Sequence, residues 1–291
     1  MLRIDTHHHL WDQSQRPQTW MTPELDAVIG GPFDMADWAV AAAPAGITHG
    51  VFVQTVPQPE ETPEVLALSE TNEALAGVVG WIDIASPTAA GDLLAALQAG
   101  PGGQRLVGVR VLAEYVEDAD WLAGDDVSAA AAALGALDLS LDLLTIPVQL
   151  PAAQRLAAAH PGTRIVLDHL SKPSMREEDL DRWAADLRAL AQHPHVACKF
   201  SAYLTYDDQP MTAQRLQPWF DVALEAFGAE RLMFGSDWPV SILGGGYADA
   251  VGIAETLLAP LSEHEQAQVW SGTALRWYPR IAERVGVEEE R

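Results

Sequence analysis

Short apolar runs alternate along the chain with longer segments rich in Ala and Leu. The short runs have the length and β-branched content of strands, whereas the longer segments suit helices. The alternation repeats eight times. The predicted strands lie within 2–11, 50–55, 77–84, 106–111, 139–146, 164–169, 195–201 and 231–237.

The predicted helices fill the intervals between these strands, after a long loop over 12–33. Asp34 is a suitable N-cap for the first helix, which Gly46 would end, and Asp126 is a suitable cap for a later one. The predicted helices span 34–45, 63–75, 87–99, 126–137, 151–160, 177–192, 212–227, 247–258 and 263–270, with a short helix near Ala274.

Eight strands that alternate with helices predict an α/β protein with a parallel sheet, closed as a (β/α)8 TIM barrel. Long connections mostly follow strands and short ones follow helices, as expected when the loops after strands build a functional site. An open doubly wound sheet is the alternative, although no Gly-x-Gly-x-x-Gly follows the first strand. No linker-like tract divides the chain, so we expect a single domain over 1–291.

The composition narrows the classes of partner. Seventeen basic and 41 acidic residues give a formal net charge of −24. This charge opposes binding to nucleic acid and to anionic membranes. A single cysteine, Cys198, cannot form an internal disulfide, and no signal or membrane-spanning segment is recognisable. We therefore expect a cytoplasmic protein that acts on a small molecule.

The opening stretch carries three consecutive histidines. Because side chains alternate along a strand, His7 and His9 should leave one face and His8 the other. Two converging imidazoles can bind a metal, polarise a carbonyl or shuttle a proton. The alternative is a run of histidines that only packs or faces solvent.

Polar residues also stand near the ends of the other predicted strands. In a barrel these ends share one mouth, so the side chains should converge there with His7 and His9. The candidates are Gln54, Trp81, Asp83, Arg110, Asp142, His169, Lys199 or Ser201, and Asp237.

Three of these candidates suit catalysis. Asp237, partly enclosed by Trp238, could accept a proton from water. His169 should point into the mouth, and Asp168 should then face the opposite way. Arg110 ends an apolar strand and needs an anionic or carbonyl partner. That partner is either a substrate or, in a structural role, Asp142 or Asp83.

Aromatic residues lie on or beside the predicted mouth loops. They could stack on a sugar ring or simply pack, and the sequence leaves both possibilities open. They are Trp11, Trp81, Tyr115, Tyr203 and Tyr206.

Five ordered motifs carry a resemblance to the amidohydrolase superfamily. The motifs are Asp5-x-His7-x-His9-Leu10-Trp11, Gly108-Val109-Arg110, Leu167-Asp168-His169-Leu170-x-Lys172-Pro173, Lys199-x-Ser201 and Phe234-Gly235-Ser236-Asp237-Trp238-Pro239. More narrowly, the chain resembles the amidohydrolase 2 branch of sugar-acid lactonases. That branch includes fuconolactonase-like and rhamnonolactonase-like enzymes and is related to 2-pyrone-4,6-dicarboxylate lactonase.

The superfamily pattern implies metal ligands on the first, fourth, fifth, sixth and eighth strands. This chain has Arg110 on the fourth strand, and its fifth offers Asp142 and Gln149 but no histidine. We therefore expect that no metal is required. The alternative is a single Zn²⁺ or other divalent ion held by His7, His9 and Asp237, with possible help from His169.

The resemblance implies a hydrolase that opens a sugar-acid lactone. Asp237 would activate the attacking water, while His7, His9, His169 and Arg110 would stabilise the oxyanion. The alternatives are a mononuclear zinc hydrolase or decarboxylase, and a non-catalytic barrel that binds a sugar acid; the oligomeric state stays open, including a homo-oligomer. The expected substrate-binding residues are Trp11, Gln54, Trp81, Tyr115, Asp142, Tyr203 and Trp238.

Overall fold

Eight parallel strands follow one another in chain order around a barrel. A computed structural model describes residues 1–84 and 87–287. Each strand pairs with the next in the sequence. The strands are β1 (Ile4–His8), β2 (His49–Val53), β3 (Leu75–Gly80), β4 (Leu106–Leu112), β5 (Ser140–Leu144), β6 (Ile165–Leu167), β7 (Val196–Phe200) and β8 (Leu232–Phe234).

The helices surround this sheet, and the (β/α)8 fold class is confirmed. They are α1 (Pro23–Ile29), α2 (Met35–Ala42), α3 (Glu61–Ser69), α4 (Pro87–Ala99), α5 (Asp125–Ala136), α6 (Leu150–Ala159), α7 (Glu177–Ala191), α8 (Ala213–Phe227), α9 (Tyr247–Leu258), α10 (Glu263–Ala267) and α11 (Thr273–Trp277). None of the helices in the described part of the chain combines the length and the apolar content that a bilayer crossing needs.

Two element predictions were wrong in detail. The predicted helix 63–75 ends at Ser69, and Leu75 already begins β3. The predicted loop 12–33 contains α1, which the sequence signals with Thr22 as N-cap and Pro23 in the first turn. Both residues are favoured at the start of a helix.

The core has two layers. A large apolar cluster lies between the sheet and the helices, and a smaller one fills the interior of the barrel. The C-terminal Trp277, Tyr278 and Ile281 belong to the interior cluster and pack with residues such as Val107 and Met233. The C-terminal segment therefore closes one end of the barrel and leaves the end at the carboxyl termini of the strands for a site.

Candidate active site

A shift of register in β1 turns two histidines into the barrel. Ile4 belongs to the interior core, so strict alternation would send His8 inside and His7 outside. The pairing of β1 with β2 instead shifts in the middle of β1, and such an irregularity re-aims the side chains that follow. His7 and His9 therefore face inward. His8 stacks on Trp38 of α2, with ring centroids 4.9 Å apart, so the predicted sorting of the three histidines is confirmed.

The barrel closes between β1 and the residues just after β8. The backbone N–H of Asp237 donates to the His7 carbonyl at 2.8 Å, and the N–H of His9 donates to the Trp238 carbonyl at 2.7 Å. Asp237 itself has a φ of 55°, in the left-handed region. This seam places the late carboxylate beside the early histidines.

Asp5 anchors the seam from the outer side of the sheet. Its carboxylate accepts hydrogen bonds from the N–H and Oγ of Ser236 at 2.9 and 2.7 Å, from Trp38 Nε1 at 3.0 Å and from the Tyr247 hydroxyl at 3.1 Å. Burial raises the pKa of Asp5, although the hydrogen bonds from Ser236 and Trp38 oppose the shift. Asp5 belongs to the first sequence motif, but the sequence alone predicted no role for it.

Three imidazoles converge on one oxygen of Asp237. The Nε2 atoms of His9, His7 and His169 lie 3.2, 3.7 and 4.0 Å from Asp237 Oδ1. All four side chains are at most 7% exposed. The geometry therefore confirms the predicted convergence of His7 and His9 with Asp237, which lies more than two hundred positions later in the chain.

The other ring nitrogens contact groups in the barrel wall. Nδ1 of His7 lies 3.3 Å from Lys199 Nζ and 3.5 Å from Asp168 Oδ1. Nδ1 of His9 lies 2.7 Å from the Val53 carbonyl, and Nδ1 of His169 lies 2.8 Å from Ser201 Oγ. A carbonyl only accepts, so Nδ1 of His9 carries the proton. In neutral His9 the Nε2 lone pair then faces Asp237.

The prediction that Asp168 faces away from His169 was wrong. Its carboxylate lies 3.4 Å from Arg110 Nη1 and 3.0 Å from Lys199 Nζ, inside the barrel. The reason is that β6 ends at Leu167 and the next residues leave extended backbone. Residues 169 to 172 all have positive φ, between 47 and 61°, so period-two alternation no longer applies.

Arg110 lies between the imidazole cluster and the wall. It donates to the Gln54 carbonyl, and its Nη1 lies 3.4 Å from both His7 Nε2 and Asp168 Oδ2. Its carboxylate partner is therefore Asp168, not the suggested Asp142 or Asp83. The side-chain amide of Gln54 is fully buried and does not reach the pocket. Gln54 contributes only its backbone carbonyl, which accepts the hydrogen bond from Arg110.

Beneath the imidazoles lies a group of buried charges. Lys199 Nζ is 2.6 Å from Asp142 Oδ2, which also accepts a hydrogen bond from the Tyr278 hydroxyl at 2.6 Å. Burial raises the pKa of Asp142 to about 6, and Lys199 opposes this shift. Burial also disfavours ionised Asp168, but Lys199 and other cations outweigh that effect and lower its pKa. Asp142 is fully buried and was wrongly placed at the substrate.

A cavity of about 120 Å³ opens above the cluster. Its wall combines the catalytic candidates with polar residues of the loops after β4 and β6, where Lys172 forms an ion pair with Glu114. The polar lining residues are His9, Thr55, Arg110, Glu114, Tyr115, His169, Lys172, Thr205 and Asp237. Sequence reasoning missed Glu114, which carries no local signal.

The predicted aromatic residues divide into two groups. Tyr115 is 62% exposed and lines the cavity, while Trp81 lines an adjoining chamber. Tyr203 is buried and donates its hydroxyl to the Ala250 carbonyl. Trp11 and Trp238 are also buried, each with its ring edge-to-face on Phe33. These last three therefore pack and do not line the cavity.

The donor set fits one divalent cation. His7, His9 and Asp237 offer ligand atoms that all lie within 4.8 Å of one another. Burial, followed by Lys199, holds the pKa of His7 well below its ordinary value, and burial does the same for His169. Neutral imidazole is the form that binds zinc, and an Nδ1–H that donates to an acceptor, as at His9, leaves Nε2 free to bind it. The arrangement can thus hold a metal and present a carboxylate to water.

Comparison with known sequences gives consistent matches. A family model described as amidohydrolase matches residues 4–280. An L-fucono-1,5-lactonase of Burkholderia ambifaria is 35% identical over 247 residues, which cover 85% of this chain and 83% of that one. An L-fucono-1,5-lactonase of Burkholderia multivorans is 34% identical over 295 residues, covering 95% and 96% of the two chains.

Solved structures agree with the fold. An amidohydrolase from Burkholderia multivorans with bound zinc superposes with a TM-score of 0.88 at 32% identity and covers 96% of this chain and 99% of that one. A probable 2-pyrone-4,6-dicarboxylic acid hydrolase from Acinetobacter baumannii superposes with a TM-score of 0.77 at 18% identity, covering 96% of this chain and 100% of that one. The second match supports the barrel alone.

Proposed function

The chain belongs to the amidohydrolase family, and from this premise we propose that it hydrolyses a sugar-acid lactone. The observation that carries the proposal is the convergence of His7, His9 and His169 on Asp237 at the floor of a small polar cavity. Two relatives of about one-third identity are L-fucono-1,5-lactonases, which supports a lactone as the substrate class.

We assign the proton transfer to Asp237. Its carboxylate accepts a proton as water attacks the lactone carbonyl, and the ring oxygen recovers that proton when the ester bond breaks. Water and lactone thereby give one hydroxy acid. Asp237 is at the cavity floor and only 6% exposed at its side chain, so few other waters compete for it.

Arg110 is the proposed donor to the oxyanion. It lines the cavity and is held by the Gln54 carbonyl and by Asp168, so its guanidinium needs no reorganisation when charge develops. Removing one such donor typically costs a few kcal/mol of transition-state stabilisation. Glu114, Lys172 and Tyr115 are placed to bond the ring hydroxyl groups.

The geometry supports the second possibility raised by the sequence, an enzyme that holds one divalent ion. We propose a single divalent ion held by His7, His9 and Asp237, since the Nε2 lone pair of neutral His9 faces the carboxylate. When bound, such an ion would supply Lewis-acid polarisation of the carbonyl. The fixed orientation of His9 comes from the Val53 carbonyl, independently of any ligand.

The direct test is a panel of lactones assayed with a pH indicator, because hydrolysis releases acid. Sugar-acid 1,5-lactones should be opened well above the uncatalysed rate. Folded protein that opens no lactone would overturn the proposal. Release of carbon dioxide from an aromatic acid would instead indicate a decarboxylase on the same barrel.

Metal analysis provides a separate check. Elemental analysis of protein dialysed against zinc should find about one ion per chain, because two histidines and a carboxylate already converge. His9→Ala should lose most of this zinc. His264→Ala, at an exposed position on α10, is the matched control and should retain it. Equal zinc contents in the two variants would contradict the assignment.

The value of kcat/KM should not fall as the pH is lowered through the ordinary histidine pKa. Burial keeps the pKa values of His7 and His169 well below 6.5, so both stay neutral as the pH falls through that value. Activity should therefore persist to below about pH 6. The check is kcat/KM between pH 5 and 8. An acidic limb centred near pH 6.5 would contradict this prediction.

A further inference from the structure

A second, larger chamber adjoins the polar cavity. This chamber has a volume of about 480 Å³, against about 120 Å³ for the cavity above Asp237. The two spaces share part of their walls and therefore lie side by side. The shared residues are Trp20, Thr55, Leu112 and Tyr115.

The chamber differs from the cavity in chemistry. Its wall is mainly apolar and aromatic, and Asp83 and Asp126 are the charged groups among its described lining residues. Both are acidic, and no lysine, arginine or histidine is among the described residues of this wall that could attract an anionic group. The apolar side chains that characterise it are Trp81, Ile82, Ile84, Val111, Val116 and Trp121.

The size of the chamber exceeds what a bare sugar lactone needs. Asp237, Arg110 and the polar side chains proposed for the ring hydroxyls line the smaller cavity. A dry cavity of roughly 150 Å³ already accommodates benzene in a protein. The chamber therefore has room for an aromatic ring or a medium alkyl chain attached to a lactone ring bound at Asp237.

We propose that the chamber is a substrate subsite and that the enzyme acts on lactones bearing a neutral, apolar substituent larger than one methyl group. This inference rests on the proposed lactone hydrolysis and specifies its substrate class. The lactone carbonyl contacts Arg110, while the substituent passes Leu112 and Tyr115 into the chamber. Burial of each added methylene contributes about 0.8 kcal/mol, which corresponds to about a fourfold gain in kcat/KM.

The test is a series of 1,5-lactones whose alkyl substituent, on the carbon that bears the ring oxygen, grows from methyl to heptyl. Intrinsic reactivity is nearly constant beyond methyl, so differences report binding. For the natural protein, kcat/KM should rise by about two- to fourfold per methylene until the chamber is filled.

Two matched variants locate the effect. Val116→Trp places a much larger side chain in the chamber, so it should flatten the series while leaving kcat/KM for the methyl compound unchanged. Val40→Trp introduces the same residue on α2, where Val40 is 77% exposed and lines neither space. It should keep the rising series of the natural protein.

The outcomes separate this inference from the function it rests on. If the natural protein opens the methyl lactone but its series is flat or falls with chain length, the subsite is overturned while lactone hydrolysis stands. A rising series that Val116→Trp leaves intact also overturns it. If no lactone is opened at all, the proposed function fails and the subsite fails with it.

Discussion

Replacing Asp237 by asparagine should lower kcat for lactone hydrolysis by about 10³-fold, within the range that a positioned general base contributes. The amide has the same shape but cannot accept a proton from water. Asparagine also tolerates the left-handed backbone of this position, where φ is 55°. The hydrogen bond from residue 237 to the His7 carbonyl is made by the backbone and survives the change.

The measurement is kcat and KM of purified Asp237→Asn with the best lactone of the panel, alongside its circular dichroism spectrum. Asp208→Asn changes an exposed carboxylate in the loop after β7 and should keep natural activity. A folded Asp237→Asn that retains more than about a tenth of the natural kcat would refute the role of this carboxylate as base.

Replacing Lys199 by methionine should lower the free energy of unfolding by about 3–5 kcal/mol, because it leaves a buried charge without its partner. Lys199 Nζ contacts Asp142 at 2.6 Å and Asp168 at 3.0 Å, and all three side chains are fully buried. Asp168 would keep Arg110, whereas Asp142 would keep only the hydroxyl of Tyr278 as a described hydrogen-bond partner.

Urea denaturation of the natural protein and the variant gives this difference. The sequence has only one other lysine, Lys172, whose side chain is 36% exposed in its pair with Glu114. Lys172→Met should cost no more than about 1 kcal/mol. The double variant Asp142→Asn/Lys199→Met should recover part of the loss. A loss for Lys199→Met as small as that of Lys172→Met would show that the buried pairs add little.

Several parts of the site were accessible from the sequence because they depend on local order along a strand. A polar residue that follows an apolar parallel strand lies at one end of the barrel whatever the packing details. This reasoning placed Arg110, His169 and Asp237 in one cavity, as observed. The same reasoning assigned Gln54 to the substrate. Its side-chain amide is instead buried, and only its backbone carbonyl contributes to the site, by accepting a hydrogen bond from Arg110.

The errors have a common physical cause. Alternation predicts which face a side chain takes only while the backbone stays extended. At Asp168 the strand has ended and a left-handed turn begins, so Asp168 and His169 both face the interior. Tyr203 likewise follows a residue with positive φ, Ala202, and packs towards α9 instead of lining the cavity.

The sequence by itself determined the eight-fold alternation of strands and helices, the family, and the residue types gathered at the carboxyl ends of the strands, because these depend on order along the chain. Only the tertiary structure decided which charges pair. Lys199 meets Asp142 of β5 and Asp168 of the turn after β6, and the Val53 carbonyl sets the tautomer of His9. Such contacts depend on register shifts and on the closure of the barrel, and neither leaves a local pattern in the sequence.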